Sequence, residues 1–161
     1  QPMMGLNFRM NEISSAILIA QLHKLDKVLS VTRRNREKIK NGISDIDGIE
    51  FRDVPDPKGD TSICLMFFLP TPEKAQRFAE ALRAENIDGP GYGTHVAYIP
   101  GKHDMHVYIY WDPLLRYSEK TCPNTLKLLG RTVHMDVSPL LTEDDIDSIV
   151  QGFHKVAKKI L

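Results

Sequence analysis

The sequence predicts an α+β fold, in which a long amino-terminal helix precedes a small sheet covered mostly on one face by helices. Three observations carry this prediction. Apolar residues follow helical spacing from Ile13 onward. A short apolar segment that ends at Pro70 is typical of a buried strand. Helices with clear start signals follow that strand and close the chain, and the short connections between elements favour a small layered domain.

The amino-terminal helix is the longest predicted element. Asn11 is a suitable N-cap, and the apolar spacing continues to about Ile43, next to the stop signal Gly42. The pattern predicts either one helix of about thirty residues, about 45 Å long, or two helices with a kink near Ser30. Because this length exceeds the body of a domain of this size, we expect the helix to cross between bodies or to pack on a partner.

The middle of the chain contains both strong and weak sequence signals for secondary structure. The segment TSICLMFFLP, residues 61–70, predicts a buried strand. Thr71 is expected to cap a helix that has Pro72 at its first position and runs to about Glu85. The glycine- and aromatic-rich residues 89–115 predict irregular structure, with a possible strand at Val107 to Trp111.

The carboxyl-terminal part has the order short helix, short strand, helix. The short helix is expected to begin near Pro123, and TVHMDVSPLL, residues 132–141, predicts a short strand with alternation. Thr142 is expected to cap the last helix. Acidic residues in its first turn and lysines in its last turn suit the helix dipole.

Composition excludes several classes of protein. A chain of 161 residues fits one domain with a real hydrophobic core. Its formal net charge is zero, which argues against a nucleic-acid surface. No apolar run reaches the ~18–20 residues needed to cross a membrane, and the first residues do not form a signal peptide. Cys64 and Cys122 are interpreted as reduced thiols of a cytoplasmic protein.

Two groups of histidines were candidates for chemistry. His103 and His106, with His95 upstream and Asp112 downstream, place imidazoles and carboxylates in one region, but the spacing favours a polar loop over a metal site. No metal is therefore expected.

His134 and Asp136 alternate on a short predicted strand and so share a face. This arrangement either orients an imidazole for acid–base chemistry or is an ordinary surface pair. The segment GPGYG is not a dinucleotide fingerprint, because it follows a helix and has the wrong spacing.

The segment before the first helix is unusual. Gly5, Asn7 and Arg9 lie just ahead of a helix amino terminus, where free N–H groups and the helix dipole favour an anion. The alternative is that Asn7 belongs to a capping turn and Arg9 is a surface cation.

A resemblance to a known family bears on this segment. GLNFRMNEISSAILIAQLHKLDKVLSVTRRNREKI, residues 5–39, is similar to a motif of the DegT/DnrJ/StrS sugar aminotransferases, and the order of elements in residues 122–156 is similar to the end of those chains. The resemblance spans essentially the whole chain and is loose between about Phe51 and Ser118. It implies the small carboxy-terminal domain of a fold-type I, aspartate aminotransferase-like enzyme that uses pyridoxal phosphate. Residues 1–48 would be the linking helix segment with its interface turn, and residues 49–161 the small α+β domain.

The resemblance also implies roles for particular residues. In this dimeric family the motif asparagine reaches the cofactor phosphate of the other subunit, a role that falls to Asn7, with Arg9 near the same interface. Tyr92, His95 and Tyr98 would line the substrate pocket. The Schiff-base lysine of the family lies upstream in a large domain, so we assign no catalytic residue in this chain.

The function implied by the resemblance belongs to a longer protein. It is transfer of an amino group, with glutamate as the expected donor, to a keto-sugar or a nucleotide-linked keto-sugar. The expected partners are a second copy of the protein and the missing amino-terminal large domain, with no nucleic acid and no membrane. The alternative is a stand-alone, non-catalytic α+β binding domain related to that family.

Overall fold

The computed structural model describes residues 10–88, 95–98 and 120–161. Their order of elements confirms the predicted α+β class. The helices are α1 (Glu12–Leu22), α2 (Leu25–Gly42), α3 (Pro72–Ala84), α4 (Pro123–Leu129) and α5 (Glu143–Ile160), and the strands are β1 (Glu50–Phe51), β2 (Cys64–Phe68), β3 (Val96–Tyr98) and β4 (Thr132–Asp136).

The four described strands form one antiparallel sheet in the order β1-β2-β4-β3. The central pair is β2 and β4, which lie far apart in sequence and pair from Cys64 opposite Asp136 to Phe68 opposite Thr132. β1 and β3 are the two edges. The sheet therefore depends on a long-range pairing, which forms only when β4, in the carboxyl-terminal part of the chain, pairs with β2.

One face of the sheet is buried beneath helices, as the sequence predicted. On β2, Leu65 and Phe67 are buried, whereas Cys64 and Met66 alternate with them and stay half-buried. This alternation follows from the period of two in a strand. Helices α2, α3 and α5 contact the sheet or one another on the buried side.

Three phenylalanines form the centre of this core. Phe67 of β2, Phe78 of α3 and Phe153 of α5 are each fully buried. Their ring centroids lie 5.6 to 6.0 Å apart in edge-to-face and tilted arrangements. Such geometry is favourable for aromatic pairs. The three rings join the central strand to the two helices that cover it.

The predicted helix starts at Thr71 and Thr142 are confirmed. The Thr71 hydroxyl accepts a hydrogen bond from the Lys74 amide at 3.2 Å. Thr142 and Asp145 form a reciprocal capping box, with each backbone N–H donating to the other side chain. These bonds satisfy donors that a helix start otherwise leaves free.

The prediction for the amino-terminal helix was wrong in one respect. The segment forms two helices, but the break lies at His23 and Lys24 rather than near Ser30. At the break the Lys24 amide donates to the Gln21 carbonyl at 2.9 Å, a tight turn of the 3₁₀ type. Ser30 stays within α2. The break contains no proline or glycine, and the apolar spacing continues across it. The sequence therefore carries no signal that marks the position of the break.

The sequence also gave no signal for the two edge strands. β1 has two residues and β3 has three, which is too short for an alternating pattern to be recognised. Val96 to Tyr98 fall in the segment that was expected to be irregular. The possible strand at Val107 to Trp111 lies outside the described residues.

Helix α1 contributes nothing to the core. None of its residues is buried, and Ile13 and Leu22 are 75% and 64% exposed. The core begins only in α2, with Thr32, Asn35 and Ile39. Within the described ranges, no helix has both the length and the apolar content that a membrane crossing requires.

We predict that Phe153→Ala lowers the free energy of unfolding by about 3–5 kcal/mol, because it removes a fully buried ring from the aromatic centre. The measurement is urea denaturation followed by circular dichroism. Leu140→Ala is the control, since Leu140 is 84% exposed and its truncation should change stability little. Equal effects of the two substitutions would contradict this account of the core.

Candidate functional site

The residues that the family resemblance implies for the cofactor phosphate precede the first described residue, Met10. Asn7 and Arg9 fall outside the described residues, and so does Tyr92. The helix start behind Asn7 is confirmed, because the Asn11 side chain accepts a hydrogen bond from the Ser14 amide at 2.8 Å. This capped amino terminus lies four residues after Asn7 in the sequence.

Tyr98 ends the edge strand β3, and His95 directly precedes this strand. The Asp136 amide of β4 donates to the His95 carbonyl at 2.9 Å, and Tyr98 is paired with Val133. The His95 ring is 64% exposed, and its Nδ1 lies 3.3 Å from a carboxylate oxygen of Asp88. The backbone of β3 thus holds the two candidate substrate-pocket residues in fixed register against β4.

A second histidine–carboxylate pair lies on the neighbouring strand. Nε2 of His134 is 2.6 Å from a carboxylate oxygen of Asp136. The two residues alternate with the buried Val133 and Met135, so they lie on the sheet face opposite the hydrophobic core. They are 24% and 47% exposed. The predicted shared face is confirmed.

The fold brings these two pairs together, although the sequence treated them separately. The hydrogen bond between Asp136 and the His95 carbonyl makes the two residues backbone neighbours. We call Asp88, His95, His134 and Asp136 the histidine edge. A carboxylate beside an imidazole orients the ring by hydrogen bonding, and partly exposed rings are open to a substrate.

Cys64 also lies next to this group, because it pairs with Asp136 across β2 and β4. Burial raises the pKa of its thiol, and the carboxylate of Asp136 adds to that effect, whereas the nearby Arg52 opposes it. A cysteine attacks as the thiolate, so a raised pKa makes Cys64 a poor nucleophile. The geometry of the histidine edge therefore favours hydrogen bonding to a ligand over thiol chemistry at Cys64.

Two residues of this arrangement were missed by sequence reasoning. The sequence alone assigns no functional role to Asp88, and from it Cys64 is interpreted only as a reduced thiol. Their proximity to the histidines comes from pairing between distant strands. No local motif signals such a contact.

No group of three potential metal ligands converges within residues 10–88, 95–98 and 120–161. His103, His106 and Asp112 lie outside these ranges. Every lysine in the described part is exposed or half-buried. We assign the described lysines no step through a cofactor.

We predict that Cys64 reacts with iodoacetamide more slowly than the exposed Cys122 near neutral pH, because its raised pKa keeps the thiol protonated. Asp136→Asn removes a charge that raises this pKa and should therefore increase the alkylation rate of Cys64. Peptide mass spectrometry measures both rates in one sample, with Cys122 as the internal control. A Cys64 rate that Asp136→Asn leaves unchanged would show that the carboxylate does not act on the thiol.

Known proteins resemble this chain in sequence and in fold. The family model described as the DegT/DnrJ/EryC1/StrS aminotransferase family matches residues 1–154. The spore coat polysaccharide biosynthesis protein SpsC of Bacillus subtilis is 23% identical over 158 residues, which cover 96% of this chain and 38% of that protein.

Solved structures agree with the family match. The aminotransferase TlmJ from Streptoalloteichus hindustanus superposes with a TM-score of 0.70 at 15% identity, covering 93% of this chain and 37% of that one. A putative sugar aminotransferase of Streptococcus pneumoniae, Spr1654 in its PMP form, gives 0.71 at 15% identity, covering 95% and 36%. These likenesses confirm the predicted fold-type I architecture. The chain spans little more than a third of the length of these relatives.

Proposed function

The chain belongs to the DegT/DnrJ/EryC1/StrS aminotransferase family, and from that membership we propose that the full-length protein is a pyridoxal phosphate-dependent sugar aminotransferase. The observation that carries the proposal is the family match over residues 1–154. This chain is its carboxy-terminal part, with residues 1–48 as the linking segment and residues 49–161 as the small domain. The exposed apolar residues of α1 agree with a linking role, since they leave a surface for other parts of the protein to cover.

The cofactor prediction is confirmed at the level of the family. One of the similar structures is a PMP form, and PMP is the amino form of pyridoxal phosphate. When bound, the cofactor supplies the electron sink for transfer of the amino group. The lysine that holds it is proposed to lie outside this chain, so that this chain alone is inactive.

The proposed acceptor is a keto-sugar or a nucleotide-linked keto-sugar, and the proposed amino donor is glutamate. Relatives described as sugar aminotransferases, and one described as a spore coat polysaccharide biosynthesis protein, support a sugar acceptor. A similar structure is also described as 3-amino-5-hydroxybenzoic acid synthase, so the fold serves other acceptors as well.

Within the full-length enzyme, we propose that Asn7 binds the cofactor phosphate of the partner subunit and that Arg9 lies near the same interface. Tyr92, His95 and Tyr98 would contribute to the wall of the substrate pocket. The exposed His95 ring beside Asp88 supports this role, because it presents an oriented imidazole to the hydroxyl groups of a sugar. The enzyme is proposed to act as a cytoplasmic homodimer.

A non-catalytic binding domain of the same ancestry is the second candidate. It is favoured by one observation, namely that every described lysine is exposed or half-buried. The coding sequence on the amino-terminal side of Gln1 separates the two candidates. A large domain with a buried lysine there supports the enzyme.

We predict that borohydride reduction in the presence of pyridoxal phosphate labels the full-length protein at one lysine outside residues 1–161. This chain supplied alone should acquire no label at a specific site. Peptide mass spectrometry after reduction locates the adduct. A stoichiometric adduct at one lysine of this chain would overturn the assignment.

We predict that Asn7→Ala in the full-length enzyme weakens cofactor binding by roughly ten- to a hundredfold, because it removes a hydrogen bond to a charged phosphate worth roughly 1.5–3 kcal/mol. Loss of a helix cap alone costs about 1 kcal/mol and would lower the melting temperature with and without cofactor. Cofactor titration and thermal melts of both forms separate the two roles. Unchanged cofactor affinity would reduce Asn7 to a capping residue.

Mixed dimers test whether the contact crosses the subunit boundary. One subunit lacks the cofactor lysine but keeps Asn7, and the other keeps the lysine but carries Asn7→Ala. In this hybrid the working lysine faces the working asparagine, so one site should bind cofactor nearly normally. A hybrid that binds as poorly as the Asn7→Ala homodimer would refute the cross-subunit role.

A further inference from the structure

A basic cleft lies on the opposite edge of the sheet from the histidine edge. It has a volume of about 380 Å³ and lies between α2 and the loop of residues 52–62. Arg33, Arg36 and Lys40 project into it from α2, where spacings of three and four residues place side chains on one side of a helix. Arg52, which directly follows the edge strand β1, completes a lining with four cations.

Two of these cations are held in place by the loop. Arg33 donates from Nε to the Asp60 carbonyl at 2.9 Å. Arg36 donates to the Asp60 carboxylate at 2.5 Å and to the Ser62 hydroxyl at 2.9 Å. The Arg36 and Asp60 side chains are only 14% and 18% exposed. Because the guanidinium groups are already ordered, a ligand would not have to order them on binding.

The remaining hydrogen-bonding capacity of the cleft is unused by the described residues. Neither Lys40 nor Arg52 has a carboxylate within ion-pair distance among those same residues. The Lys40 ammonium instead lies over the Phe51 ring, 5.6 Å from its centroid.

We propose that this cleft binds the phosphate of a small phosphorylated molecule that also carries hydroxyl groups. Arginine matches the geometry of phosphate oxygens, and lysine adds a point charge. The carboxylates of Glu37 and Asp53 also line the cleft, and they would accept hydrogen bonds from hydroxyl groups. The volume lies in the range of small-molecule sites. A sugar phosphate and a nucleotide share this chemistry.

This inference does not depend on the proposed aminotransferase activity. The cleft is lined by α2 and by the loop that follows β1, whereas Tyr98 lies on β3 at the other edge of the sheet and His95 directly precedes that strand. Either conclusion can fail while the other stands.

The test is calorimetric titration of the full-length protein, saturated with pyridoxal phosphate, with glucose 1-phosphate and separately with uridine diphosphate. The variants are Arg52→Gln and Lys40→Gln, which leave the Asp60 network intact. Lys127→Gln is the matched control, because Lys127 is exposed on α4 and outside the cleft. Each cleft variant should raise the Kd about tenfold or more, and the control should not change it.

The rate of acetylation at Lys40 reports on the cleft alone, because a ligand bound at another phosphate site would not shield this lysine. A bound ligand should slow acetylation of Lys40 and leave the rate at Lys127 unchanged. Protection by glucose 1-phosphate identifies a sugar phosphate as the ligand, and protection by uridine diphosphate alone identifies a nucleotide. The proposal is overturned if neither compound protects Lys40, or if Lys127→Gln weakens binding as much as Arg52→Gln.

Discussion

The pairing of β2 with β4 is the interaction on which the rest of the described structure depends. It joins Cys64–Phe68 to Thr132–Asp136 and places Phe67 and Met135 on the same buried face. Phe78 and Phe153 then pack on Phe67, so the two covering helices are fixed by the same pairing. Without β4, the buried face of β2 would have no neighbour and β3 would have no strand to pair with.

The same pairing creates the candidate site. A strand buried on one face necessarily presents its alternate residues on the other. On β4 those residues are His134 and Asp136, and His95, which directly precedes β3, joins them through a backbone hydrogen bond to Asp136. Core and site are therefore two faces of one sheet, and a change of one residue in strand register would move the histidine into the core and the apolar residues to the open face.

The elements with strong local signals could be predicted from the sequence. Proline and threonine mark the start of α3, and the capping box of Thr142 and Asp145 marks α5. The break at Lys24 could not be predicted, because it consists of a single tight turn within a continuous apolar pattern. The edge strands are defined by their partners rather than by their own composition. For the site, His134 and Asp136 were recognisable from alternation, whereas Asp88 joins His95 only through the tertiary fold.

The exposed apolar residues of α1 and the share of the relatives' length that the chain spans fit the proposal that the chain is one part of a larger enzyme. The central claim is that this enzyme is a pyridoxal phosphate-dependent aminotransferase. The most direct measurement is the visible absorbance of the full-length protein purified with pyridoxal phosphate. We expect an absorbance band of the bound cofactor that disappears when glutamate is added and returns when a nucleotide-linked keto-sugar is added. A full-length protein that shows no cofactor band, or whose band no amino donor changes, would contradict the claim.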